Sequence, residues 1–181
     1  MMKRAVLLSV MLAFAGSAIV WAQGKTSFSG TWTLDRAKSS PPPRRASGQE
    51  GATVNAALAA LTTLRMSQSA TELRIEQIGR NNQPVIYKLA GDSVNEVPNG
   101  TSKTKATWDG PRLVVASTLS LSTDEGLAAS NSSALEQYTG RRIDIQLKEI
   151  WSMNNGVLTI ERTATAPTGS TARKLVYARQ P

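Results

Sequence analysis

The 181 residues include no cysteine and no histidine, which excludes a disulfide framework, thiolate or imidazole chemistry, a Ser-His-Asp triad and zinc sites of the usual Cys/His kind. The net charge is +8, yet beyond Lys3-Arg4 adjacent basic residues stand only at Arg44-Arg45, Arg141-Arg142 and Arg173-Lys174, with no aromatic residues interleaved. A nucleic-acid platform is therefore not expected, and the charge reads as solubility with weak attraction to anionic envelope surfaces.

Residues 1–22 read as a secretory signal peptide. Lys3 and Arg4 precede an apolar run from Ala5 to about Phe14, and Val20-Trp21-Ala22 has the spacing of a cleavage site. The run is short and broken for a membrane span, so an uncleaved anchor is the lesser alternative, and the lack of cysteine disfavours a lipid anchor. The mature part, residues 23–181, is expected to be one periplasmic or secreted domain with a core adequate for independent folding and no stable membrane insertion.

That part opens on FSGTWTL, residues 28–34. In the loop spanning 39–53 three consecutive prolines remove donors and fix an extended backbone, so no strand is expected. ATVNAALAALTTL, residues 52–64, carries Val54, Ala57, Leu58 and Leu61 at helical spacing and predicts one short helix lying against the sheet by that face.

Period-two alternation then takes over, punctuated by turn residues. LTTLRMSQ and ELRIEQIG are separated by Ser69-Ala70-Thr71. In QPVIYKLAG, Val85, Tyr87 and Leu89 share a face. TSKTKATW leads through Asp109-Gly110 into RLVVASTLSL, a hairpin whose turn Pro111 is expected to lengthen. After a polar loop over 122–140, RRIDIQLKEIW leads through Asn154-Asn155-Gly156 into VLTIERT, and Pro167-Thr168-Gly169 precedes TARKLVYAR. The fold class is all-β: about eight to ten antiparallel strands in an up-and-down barrel, with the short helix after the first strand.

Candidate site residues are polar or aromatic side chains on inward faces. Glu149 lies among Ile143, Ile145, Leu147 and Trp151, which makes it either a site or the mark of a bulge that turns Ile150 inward. The face of Leu158 and Ile160 runs into Arg162. On the last strand Arg173, Leu175, Tyr177 and Arg179 share a face. With Tyr87 and Trp108, these give Tyr87, Trp108, Glu149, Arg162, Arg173 and Tyr177 as ligand contacts; Trp108, beside the turn, is alternatively a cap on a barrel end. No catalytic residue, cofactor or metal is expected.

Phe28-x-Gly30-Thr31-Trp32-x-Leu34 resembles the first strand of the lipocalin and fatty-acid-binding-protein (calycin) superfamily. YKLAGDSVNE is similar to that family's Phe-Lys-Leu-Gly strand and acidic turn, KTKATWDGPRLVV to its Lys-rich hairpin, and STARKLVYARQ to its closing strand. The resemblance implies a barrel in which Gly30 and Trp32 plug the closed end, with a basic side chain from the last strand, Arg173 or Arg179, over the indole. In the fatty-acid-binding proteins an Arg-x-Tyr pair holds a ligand carboxylate. Tyr177 matches the Tyr, but Leu175 stands at the Arg position, and the nearest inward basic residue is Arg173.

The function expected is binding of a small, largely apolar ligand in the barrel. The alternative is a protein-interaction or inhibitor module with a packed barrel, acting through its loops on another envelope protein. An enzyme is the least expected reading, because no spaced acidic pair requires it.

Overall fold

A computed structural model describes residues 25–42, 54, 57–78, 83–97, 100–122, 142–167 and 169–181. Ten strands follow one another: β1 (Gly30–Leu34), β2 (Thr63–Gln68), β3 (Glu72–Gln77), β4 (Val85–Lys88), β5 (Gly91–Val97), β6 (Gly100–Asp109), β7 (Arg112–Ser122), β8 (Arg142–Asn154), β9 (Val157–Ala166) and β10 (Gly169–Arg179). They form one antiparallel sheet in the order β4-β3-β2-β1-β10-β9-β8-β7-β6-β5. Pairing of β1 with β10 curls the meander into a nearly closed barrel, whose one unladdered boundary lies between β4 and β5.

Turn chemistry sets the long hairpins. Asn155 (φ 48°) and Gly156 (φ 75°) both take the positive φ of a two-residue type I′ loop, leaving Asn154 paired with Val157. At the next hairpin Asp109 pairs with Arg112, so Pro111 does not lengthen the turn. Gly110, at φ 58°, supplies the positive φ that a type II′ loop needs first, and the fixed negative φ of proline suits the second place. GDSVNEV is likewise a strand rather than an acidic turn, in unbroken register with β6 from Gly91↔Ala106 to Val97↔Gly100.

The inward faces build one apolar cluster from nine strands and the segment before β1, including Phe28, Trp32, Leu64, Leu73, Leu113 and Trp151. Trp32 is fully buried and donates its Nε1–H to the carbonyl of Phe28 at 2.9 Å. Arg179, its cross-strand partner, lays its guanidinium 5.1 Å from the indole centroid; Arg173 does not take that role. Gly30 makes this possible: its φ of 136° suits glycine, and a Cβ there would stand 3.1 Å from Arg179 Nε.

A second cluster, Val54, Leu58, Ile145, Ala164 and Ala166, lies toward the other end of β8 and β9. The helix expected over 52–64 is not established. Among the described residues its one helical hydrogen bond runs from Leu58 N–H to the carbonyl of Val54, residues 51–53 and 55–56 lie outside them, and β2 begins at Thr63. Val54 and Leu58 are buried nonetheless. The signal peptide, most of the 39–53 loop and most of the 122–140 loop also lie outside the described residues.

Candidate functional site

Glu149 faces the interior. The register of β8 runs without interruption against both β7 and β9, so no bulge turns Ile150 inward, and the carboxylate is 1% exposed. Burial of a charge demands a partner. Arg162, directly opposite on β9, donates its Nε–H to Glu149 Oε1. Trp151 Nε1–H donates to Oε2 at 3.1 Å, and the Tyr87 hydroxyl reaches the same oxygen from β4 at 3.5 Å. Burial pulls the Arg162 guanidinium down, and the Glu149 carboxylate, together with Tyr177 and Tyr87, more than offsets that pull.

The two inward arginines are neighbours, since Arg162 pairs with Arg173 across β9 and β10. Both reach the segment that leads into β2. Arg162 Nη1 donates to the carbonyl of Ala59 at 3.0 Å, and Arg173 Nη1 to that of Leu58 at 2.9 Å. Their electrostatics differ. Arg162 has Glu149, whereas no carboxylate among the described residues pairs with Arg173, and burial lowers the pKa of its guanidinium. Among the described residues Arg173 therefore keeps a charge that only carbonyl dipoles compensate.

Tyr177 is fully buried, and its hydroxyl has no hydrogen-bond partner in the described structure; the same holds for Nε1 of Trp108. Trp108 sits apart from the ion pair. It stacks on Phe28 (5.9 Å, 8°), which in turn meets Trp151 edge-on at 5.8 Å, so Trp108 helps to cap the Trp32 end. Of the six sequence candidates, Tyr87, Glu149 and Arg162 are in direct contact; Arg173 joins them through Arg162.

Burial also holds both tyrosines protonated to higher pH, and the adjacent Glu149 charge acts in the same direction. In the unfolded chain they ionise near pH 10. Because the folded pKa values are the higher ones, their contribution is constant below about pH 10 and is lost as pH rises above it. Urea midpoints measured from pH 8 to 11.5 should fall above pH 10. The fall should be shallower in a Tyr87→Phe/Tyr177→Phe variant, and identical slopes would contradict this origin.

A cleft of about 580 Å³ opens beside Arg173. Leu34, Pro41, Pro42, Ala59 and Ala60 supply apolar lining, while Arg36, Ser39, Ser40, Thr62 and Arg173 supply the polar atoms. The cleft runs from Arg173 on β10 to Leu34 on β1, and Leu34 stands two residues from Trp32, so the cleft reaches to within one pleat layer of the plug. No acidic residue lines the cleft among the described residues.

Sequence reasoning named Arg173 but missed the rest of the cleft, because its other walls, Leu34 apart, are loop residues rather than alternating strand positions; the Ser39-Ser40-Pro41-Pro42 run was their only visible trace. A buried hydroxyl chain was missed too. Thr104 lies 3.3 Å from Ser102 and 2.9 Å from Ser117, and Ser93 donates to the Thr104 carbonyl at 3.4 Å. The alternation of β6, with Lys103 and Lys105 outward, could have shown it. No group of three or more acidic side chains close enough to hold a metal ion occurs among the described residues.

No protein-family model matches the chain, and no curated protein matches it in sequence. Among solved structures the fold is similar to that of a secretory abundant heat soluble protein from Ramazzottius varieornatus (TM-score 0.51, 16% identity, covering 87% of this chain and 97% of that one). It is also similar to Caenorhabditis elegans lipid binding protein 8 in its apo form (TM-score 0.50, 14% identity, 84% and 95% covered). The zebrafish ileal bile acid-binding protein, complexed with cholic acid, gives TM-score 0.50 at 13% identity, with 84% and 98% covered. At these identities the likeness is one of fold, and that fold is the barrel the opening motif resembles.

Proposed function

We propose that the protein, secreted or periplasmic, binds a small and largely apolar molecule whose polar end is anionic. The observation that carries this is the cleft: about 580 Å³, within the range of small-molecule sites, walled by apolar side chains, with Arg36 and Arg173 and, among the described residues, no carboxylate in its lining. Arg173 is buried without a carboxylate partner among the described residues, so a ligand carboxylate or phosphate would supply the missing countercharge. Two proteins of similar fold are named for lipid and bile-acid binding, which agrees with this reading.

Calorimetric titration with decanoate, decanol and decyltrimethylammonium tests it. Decanoate should bind about tenfold or more tightly than the cation, and Ala60→Trp, which fills the cleft, should abolish binding. If none of the three binds, the reading fails.

The second reading, a packed barrel acting through its loops, draws on the filled Trp32 end, where Phe28 is wedged against Trp108 and Trp151. It gains if the titrations are blank and the chain captures an envelope protein instead.

A further inference from the structure

We propose that the boundary between β4 and β5 is a seam able to open, and that the Asn95 side chain is its latch. The two strands are joined by Leu89-Ala90 alone, a connection short enough for a hairpin, yet they form no ladder. Leu89 explains the divergence: it is buried, and its N–H bonds the carbonyl of Thr71 at 2.7 Å, which draws the end of β4 toward the β2–β3 turn. β4 then pairs with β3 from Glu72↔Lys88 to Ile75↔Val85, while β5 pairs with β6 along its whole length.

Across the boundary, Asn95 on β5 stands in for a backbone partner. Its Oδ1 accepts the N–H of Ile86 at 3.0 Å, and its Nδ2 donates to the carbonyl of the same residue at 3.1 Å. These are the two bonds that a facing residue of an antiparallel strand would exchange with Ile86. A primary amide is the side chain that provides one donor and one acceptor in that fork. Opening the seam therefore breaks, among the described residues, two hydrogen bonds between β4 and β5 whose groups can turn to water, together with the Tyr87–Glu149 contact, whereas parting any other neighbouring pair tears a ladder.

The strand released is the one that reaches the buried centre. Tyr87, next to Ile86, contacts Glu149 at 3.5 Å and meets the Trp151 ring edge-on at 6.2 Å. Movement of β4 would withdraw that ring and admit solvent, or a small molecule, to the Glu149–Arg162 pair. This does not depend on which molecule the protein binds.

The test is residue-resolved hydrogen exchange on the full chain, with Asn95→Leu and Asn95→Asp variants. In Asn95→Leu, the Ile86 amide should exchange at least tenfold faster than in the wild type, while those of Leu158 and Ile160 keep their rates. Asn95→Asp keeps the acceptor for Ile86 N–H but sets a carboxylate against its carbonyl, so exchange should again accelerate near neutral pH. Lowering the pH until that carboxyl is protonated restores a donor, and exchange at Ile86, corrected for its intrinsic pH dependence, should slow toward the wild-type rate. This arm holds even where Asn95→Leu fails to fold. Ile86 exchange within twofold of wild type in the variants, a uniform acceleration of all strands, or no recovery at low pH would each overturn the latch.

Discussion

Replacing Glu149 by leucine should lower the free energy of unfolding by about 3–5 kcal/mol, because it strands the Arg162 guanidinium in the interior without a countercharge. The size follows from burial: the Glu149 side chain is 1% exposed and that of Arg162 is 12% exposed, so water cannot replace the lost carboxylate. Trp151 Nε1–H and the Tyr87 hydroxyl would lose their acceptor in the same step. Arg162→Met should cost a similar amount, since it leaves the carboxylate with two neutral donors. The double variant Glu149→Leu/Arg162→Met removes both charges and should be less destabilised than either single change, leaving the loss of the bond to the Ala59 carbonyl and of the acceptor for Trp151 Nε1–H and the Tyr87 hydroxyl. Urea unfolding of the four proteins measures the coupling. Additive effects would show that the pair is solvated and that Glu149 is not a closed structural centre.

Strand pairing was legible where local chemistry decides it. The Asn155-Gly156 and Gly110-Pro111 turns fix their hairpins within two residues, and period-two alternation then carries the register along ten or more positions. That is why Glu149 could be placed on the inner face from sequence, although only the uninterrupted ladder decides between an inward carboxylate and a bulge. β5 was hidden because Asp92, Asn95 and Glu96 are poor strand formers, and its stability comes from pairing with β6. The cover of Trp32 was undecided between Arg173 and Arg179, which share a face; the register with β1 separates them. Least legible were contacts made by irregular segments: Phe28 against two tryptophans, the Leu58 and Ala59 carbonyls on the arginines, and Asn95 across the seam. None has a period or a fixed spacing, so each exists only once the barrel has brought distant residues together.

These contacts give the interior an order from one end to the other. At the plug end, Gln68 clamps the chain before β1: Oε1 accepts Phe28 N–H at 2.9 Å, and Nε2 donates to the Thr26 carbonyl at 3.1 Å. Phe28 then fills the space under Trp108 and Trp151, leaving that end apolar and closed. The Glu149–Arg162 pair comes next, followed by Arg173, which has no carboxylate partner among the described residues, where the cleft opens. The plug end is thus filled by side chains, while the accessible space lies against the basic wall of Arg36 and Arg173.

Trp32→Ala should destabilise by about 3–5 kcal/mol, the range for truncating a fully buried large aromatic side chain. The loss has separable parts. Trp32→Phe keeps most of the apolar volume but gives up the Nε1–H bond to Phe28, and should cost about 1 kcal/mol for the bond beyond the change in packing. Arg179→Ala uncovers the indole and removes the contact of its guanidinium with the Ser29 carbonyl, and should cost about 0.5–1 kcal/mol because Arg179 is exposed. Unfolding curves for the three variants rank these effects, and decanoate titration of the folded fraction shows whether the plug communicates with the cleft. Leu34 lines the cleft two residues from Trp32 on β1, so the folded Trp32→Ala protein should bind decanoate more weakly, whereas Arg179→Ala, which leaves the indole in place, should stay within about twofold of wild type. A Trp32→Ala protein with wild-type stability and no ligand binding would reverse the assignment, making the indole a ligand contact and the Trp32 end the mouth of the site.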